Sequence, residues 1–145
     1  MTTLPLVAEL QVSRLQAIGD DTGTLLVAES GRQVPFAIAR TFVVTGVAAG
    51  AMRGHHAHKR CQQLLVCLSG RISVLVYDGS TSHTLVLAGV GESLYIPPGI
   101  WAEQVYEAPD TILMVLCDQA YDEADYLRDY EGFLAWRANG GKEQA

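Results

Sequence analysis

RGHHAHKRCQQLLVCLSGRISVLVYDG, residues 53–79, holds two short apolar runs split by Ser69-Gly70 and closed by Asp78-Gly79. QQLLVCLS (62–69) and ISVLVYD (72–78) are rich in Val, Leu and Ile and bounded by turn signals, so both are predicted strands. The pattern repeats on either side. TLLVAE (24–29), RTFVVTGV (40–47), HTLVLAG (83–89), SLYIP (93–97), AEQVYE (102–107) and TILMVLCD (111–118) have the same character. Gly31, Gly50, Gly89, Gly91, Pro97-Pro98-Gly99 and Pro109-Asp110 punctuate them. No helical stretch separates consecutive strands, which argues against βαβ units and for an antiparallel sandwich or barrel.

The periodicity changes after residue 120. In YDEADYLRDYEGFLAWRANGG, Tyr126, Tyr130, Phe133, Leu134 and Arg137 recur at steps of three and four. Asp122, Glu123 and Asp125 fall in the first turn of the predicted helix, and Asn139-Gly140 follows its end. The aromatic stripe is expected to pack against the barrel or a second subunit. Residues 1–145 are expected to form a single domain, with 138–145 a loose tail.

The 145 residues are 49% apolar and 18% charged, which excludes intrinsic disorder. The net charge is −6, from 10 basic and 16 acidic side chains, the wrong sign for a general nucleic-acid binder or a partner of anionic membranes. MTTLPLVAEL lacks the basic and long apolar regions of a signal peptide, and no apolar run approaches the roughly 18–20 residues of a membrane span. Cys61, Cys67 and Cys117 form no Cys-x-x-Cys pair and suit reduced core thiols. A cytoplasmic location is the expectation.

Three of the four histidines lie in Arg53-Gly54-His55-His56-Ala57-His58-Lys59-Arg60. On a strand, His56 and His58 share one face and His55 takes the other, so a barrel strand would aim two imidazoles inward. Arg53, Lys59 and Arg60 add a basic focus in an acidic chain, suited to a small anion such as a phosphate or diphosphate. A solvated polar loop is the alternative. Two uncoordinated imidazoles facing one pocket are suited to proton transfer, because their pKa lies near working pH.

The spacing around them carries a resemblance. Gly50, five residues, His56, one, His58, four, Gln63, six, Gly70 is similar to the first cupin motif. Gly91, five residues, Pro97-Pro98-Gly99, two, Ala102 is similar to the second. The resemblance implies an all-β cupin double-stranded β-helix, a jelly-roll barrel, with one C-terminal α-helix. In metal-binding cupins three histidines and a glutamate hold the ion. Here Gln63 and Ala102 stand at two of those four positions, so no metal is expected.

A longer resemblance covers residues 32–134. Pro35-Phe36, Arg40, Arg53-Gly54, His56-Ala57-His58-Lys59, Gln63, Leu94-Tyr95-Ile96-Pro97-Pro98, Trp101, Glu103 and Tyr121-Asp122-Glu123-Ala124-Asp125-Tyr126 are similar to the cupin-type nucleotide-sugar 3,4-ketoisomerases. That family acts on dTDP-4-keto-6-deoxyglucose. The resemblance implies an isomerase without cofactor, in which His56 moves protons at C3 and C4 and His58 assists. It implies a dTDP-sugar pocket built with Arg53 or Lys59 on the diphosphate and with Arg40, Gln63, Tyr95, Trp101 and Glu103. Ordinary barrel packing is the alternative for Tyr95 and Trp101, and a solvated strand-edge carboxylate for Glu103. It also implies a homodimer that exchanges N-terminal strands.

Three positions depart from the family. Ala102 replaces His or Arg, Thr22-Gly23 replaces Arg-Gly or Tyr-Gly, and Phe42-Val43 replaces a Tyr pair. Thr22 and Ala102 thereby leave the C4 stereochemistry of the product open. A non-catalytic sugar-nucleotide-binding or regulatory cupin, or a metal-dependent cupin enzyme, are the other functions compatible with these residues.

Overall fold

The apolar runs become strands at close to the bounds that their turn signals set. The computed structural model describes residues 3–143. Its strands are β1 (Val12–Arg14), β2 (Gln16–Asp20), β3 (Gly23–Val27), β4 (Arg40–Val44), β5 (Ala51–His58), β6 (Gln63–Ser69), β7 (Ile72–Tyr77), β8 (Ser82–Leu87), β9 (Glu92–Ile96), β10 (Trp101–Tyr106), β11 (Ile112–Cys117) and β12 (Tyr126–Leu127). The single α-helix among the described residues is α1 (Tyr130–Ala138). None there is long and apolar enough to cross a membrane.

Two five-stranded antiparallel sheets form the barrel, in the orders β1-β9-β6-β11-β4 and β12-β5-β10-β7-β8. Leu65 and Cys67 of β6, Val74 and Val76 of β7, Tyr106 of β10 and Leu113 and Val115 of β11 meet in one core between them. The expected all-β barrel with one C-terminal helix is what the chain forms.

Both faces of β6 are buried, which is why its sequence reads as a continuous apolar run. Leu65 and Cys67 face the core, while Leu64 and Val66 pack outward against Leu15, Val34 and Phe36 of the N-terminal arm. Among the described residues β2 and β3 pair only with each other, as a hairpin with Thr22 at its turn.

The helix is shorter than its sequence pattern predicts. It starts at Tyr130, capped by Asp129, whose side chain accepts the Gly132 N–H at 2.8 Å. The acidic run before it makes a 3-10 turn at Glu123–Asp125 and then β12, which pairs with the end of β5. Asp125 is the reason. Its carboxylate is buried and accepts the backbone N–H groups of Arg60 at 2.6 Å and Cys61 at 3.2 Å, contacts that a solvent-facing first helical turn cannot make. At the other end the helix stops where expected, with Asn139 as C-cap and Gly140 at φ +69°.

Candidate active site

The site is assembled by an irregularity in β5. Pairing with β10 runs Ala102 to His56 and then Glu103 to Gly54, so His55 is an extra residue, a β-bulge. Gly54 (φ +99°) and His55 (φ +57°) carry the bend. A Cβ on Gly54 would come within 3.1 Å of the Ala102 carbonyl oxygen, so glycine permits the close pairing. The bulge changes the parity of the strand. Arg53 lies three residues before His56, yet both line the same cavity. Simple alternation would place them on opposite faces.

His56 and His58 point inward, with ring centroids 4.9 Å apart and planes at 89°. His55 takes the outer face, 50% exposed, with Nδ1 3.2 Å from Glu103 Oε1. His56 Nδ1 lies 3.1 Å from the Gly54 carbonyl oxygen, an acceptor only. The proton therefore sits on Nδ1, and the Nε2 lone pair is left to act. His58 Nδ1 lies 2.9 Å from Asp125 Oδ2, and its Nε2 is buried with no partner among the described residues.

Tyr126 covers the pair, with its ring centroid 5.0 Å from His56 and 4.4 Å from His58. Arg40 Nη2 donates to the Tyr126 hydroxyl at 3.4 Å and to Cys117 Sγ at 3.7 Å. Gln63 Nε2 donates to the same sulfur at 3.6 Å. Cys61 first, and then these two donors, pull the Cys117 thiol below its ordinary range against the effect of burial. Arg128 stacks on Tyr126 at 4.2 Å and holds Glu123 through two hydrogen bonds of 2.6 and 2.9 Å.

Burial, and then the neighbouring His58, push the His56 pKa down to about 4. Burial also lowers that of His58, although the Asp125 hydrogen bond and charge oppose the shift. Both rings are thus neutral near pH 7, as bases must be. Phe42, Val44, Arg53, Gln63 and Gln104 complete a cavity of ≈ 90 Å³ beside His56. Val44 and Arg53 also line a groove of ≈ 500 Å³ that opens past Val43 and Met52.

Of the residues expected at the site, His56, His58, Arg40, Arg53, Gln63 and Ala102 come together. Ala102 is buried directly opposite His56 on β10. Four others lie elsewhere, and Thr22 does not border the cavity. Trp101 and Glu103 occupy the outer face of β10, because strand alternation turns Ala102 and Gln104 inward. Trp101 packs at 5.6 Å from Phe133 of the helix and donates to Glu103 at 3.2 Å. Tyr95 lies on the outer face of β9, with its ring 6.4 Å from Phe36 and its hydroxyl donating to Gln62 at 2.6 Å. Lys59 turns towards the end of the helix and pairs with Glu143. Thr22 donates twice to Asp20 Oδ1, at 2.8 and 2.6 Å, within the β2–β3 turn.

Asp125, Tyr126, Arg128, Cys117 and Gln104 were not expected at the site. YDEADY marked the first two as part of a motif, but a helical reading of that stretch hides their contact with β5.

The donor set does not fit a metal centre. His58, Cys61 and Asp125 place ligand atoms within 4.8 Å of one another. Both Asp125 oxygens, however, already accept N–H groups from Arg60, Cys61 and His58. At the ligand positions of the metal-binding cupins, Gln63 and Ala102 leave two imidazoles, short of the three or four that a stable site needs, and the Cys117 sulfur is already taken by Arg40 and Gln63.

Comparison with known proteins agrees with this geometry. A TDP-4-oxo-6-deoxy-alpha-D-glucose-3,4-oxoisomerase from Aneurinibacillus thermoaerophilus is 35% identical over 130 residues, 90% of this chain and 94% of that protein. The crystal structure of QdtA, a sugar 3,4-ketoisomerase from Thermoanaerobacterium thermosaccharolyticum in complex with TDP, superposes with a TM-score of 0.88 at 28% identity, covering 93% of this chain and 98% of that one. The WlaRB TDP-quinovose 3,4-ketoisomerase from Campylobacter jejuni has a TM-score of 0.83 at 32% identity, covering 89% and 99%. The profile of the family described as FdtA: WxcM-like, C-terminal, matches residues 8–138, and this chain belongs to that family.

Proposed function

We propose that this protein is a dTDP-sugar 3,4-ketoisomerase that moves the ketone of dTDP-4-keto-6-deoxyglucose from C4 to C3. One observation carries the mechanism: two adjacent inward imidazoles, each with Nδ1 committed to a fixed acceptor. The relatives that share the fold and 28–35% of the sequence bear the names of this activity.

The C3 proton is acidified by the neighbouring ketone. His56 Nε2 removes it, and an enediolate forms across C3 and C4. Return of a proton to C4, with transfer of the C3 hydroxyl proton to the C4 oxygen, completes the isomerisation. His58 serves the oxygen-to-oxygen step. Substrate and product have the same oxidation level, so the stoichiometry requires no external oxidant or reductant. Arg40, held by Tyr126 and Cys117, is placed to stabilise enediolate charge. Arg53, at the junction of cavity and groove, takes the diphosphate. Gln63 bonds a sugar hydroxyl.

Incubation with dTDP-4-keto-6-deoxyglucose in deuterated water, followed by NMR, tests this reading. The expected product is the 3-keto sugar, with solvent deuterium at C4. Binding with neither migration nor exchange would mark a non-catalytic sugar-nucleotide module, the reading that Ala102 and Thr22 favour.

The acidic limb of kcat/KM is expected at about pH 4 rather than at the ordinary histidine value of 6.5. Protonation removes the base, and burial delays protonation in the folded enzyme. The unfolded chain binds this proton near pH 6.5, so the same group makes stability fall as pH drops from 6.5 towards 4. A limb at 6.5 would remove a desolvated His56 from the role.

The hairpin supports a homodimer with exchanged N-terminal strands. Ile18 and Leu25 pair across β2 and β3 while 54% and 61% exposed, and among the described residues no other strand joins them.

A further inference from the structure

We propose that Asp125 is a positioning residue for the isomerisation: it fixes the proton of His58 on Nδ1 and so makes Nε2 the nitrogen that carries protons for the substrate. The inference rests on the ketoisomerase reading and assigns a role to a residue outside its expected site.

The two residues are 67 apart in sequence and meet because β12 pairs with the end of β5, Tyr126 against His58. Both are almost sealed from water, His58 at 5% and Asp125 at 3% exposure. A carboxylate so placed is costly unless its oxygens are bonded. Oδ1 accepts the Arg60 N–H, and Oδ2 is shared by the Cys61 N–H and His58 Nδ1. The backbone bonds hold the carboxylate still, and the carboxylate in turn holds the ring. Those bonds alone would explain a structural aspartate. They do not explain why the opposite nitrogen, Nε2, is left buried and without a partner among the described residues, on a ring that packs against those of His56 and Tyr126.

A fixed tautomer explains that arrangement. With Nδ1–H donated to Asp125, Nε2 can only accept, and its natural partner is a proton from the substrate. The negative carboxylate then stabilises the imidazolium that forms. It is opposed by the cations Arg40 and Arg128, while the His56 ring centroid lies 4.9 Å away, on the side of the cavity that His56 lines with Arg53 and Gln63. A stationary anion behind one ring of the pair makes His58, not His56, the better resting place for a proton in transit.

Asp125→Asn tests this with nearly the same shape. The amide oxygen keeps the short Arg60 N–H bond, so the NH2 group takes the place of Oδ2, gives up the longer Cys61 N–H contact, donates to Nδ1 and forces the proton onto Nε2, the wrong nitrogen. The expected result is a kcat lower by roughly 10²–10⁴-fold with KM and dTDP affinity within a few-fold, and partial recovery in Asp125→Glu. ¹⁵N-resolved NMR of the His58 ring should show Nδ1–H in the wild type and Nε2–H in Asp125→Asn. A folded Asp125→Asn enzyme within tenfold of wild-type kcat would overturn the proposal. Should that variant fail to fold, the wild-type spectrum decides: an Nε2–H tautomer overturns the proposal and an Nδ1–H tautomer upholds it. The spectrum needs no substrate, so a wild-type protein that fails to isomerise the sugar counts against the ketoisomerase reading and not against the tautomer.

Discussion

His56→Asn is expected to lower kcat by roughly 10²–10⁴-fold and to abolish exchange of the C3 proton with deuterated solvent. Asn is close to the imidazole in reach at its near end, and its amide N–H can still donate to the Gly54 carbonyl that now accepts from Nδ1. What it lacks is a basic nitrogen at the Nε2 position. Substrate affinity should change little, because in the proposed reading the nucleotide end is taken by Arg53 and the groove beyond it. The signature is therefore a fall in kcat with KM nearly constant. NMR in deuterated water reads turnover and exchange separately. Wild-type-like C3 exchange in this variant would take the base role from His56 and leave His58, the adjacent imidazole, as the candidate.

A second large effect is expected at a corner of the fold. Gly70 lies where the chain leaves β6 in one sheet and enters β7 in the other, with φ +78°. A Cβ there would stand 2.3 Å from Thr111 Oγ1 and 2.6 Å from Thr111 Cα. Thr111 is poorly placed to yield. It is 1% exposed, and its hydroxyl donates to the Ala108 carbonyl at 2.8 Å and accepts from the Arg71 N–H at 3.3 Å. It also leads into β11, where the pairing with β6 already shifts register between Ile112 and Leu113. Left-handed backbone in an alanine costs roughly 1–2 kcal/mol and overpacking roughly 1–3 kcal/mol more. Gly70→Ala should thus lose about 2–5 kcal/mol, a drop in Tm on the order of 5–15 °C for a chain of this size. Urea or thermal unfolding measures it directly. A loss below about 1 kcal/mol would mean that the Thr111 backbone moves aside freely.

The site was partly legible because its central pair obeys a local rule. His56 and His58 are two apart, and strand alternation alone puts them on one face. The same rule fails for Arg53, since the bulge at His55 inserts a residue that no composition signal announces. It fails differently for Trp101 and Glu103. Their alternation with Ala102 and Gln104 is plain, but which set faces the cavity depends on where the helix lies, and Trp101 is drawn outward to Phe133. Tyr95 is comparable: its outward pocket exists only because the N-terminal arm covers β9 and β6.

Sequence alone was sufficient for the strand runs with their turns, the antiparallel all-β class, the inward pair of imidazoles and the end of the helix at Asn139-Gly140. Each of these depends on neighbours within a few residues, where backbone geometry sets the pattern. Only the folded chain decided that Asp122–Asp125 is a strap rather than a first helical turn, that Asp125 backs His58, and that Arg40 and Cys117 border the same space. Those outcomes rest on hydrogen bonds between residues 67 and 77 positions apart. A buried carboxylate settles where distant N–H groups can satisfy it, and that energy outweighs the few tenths of a kcal/mol by which local helix propensity favours another conformation.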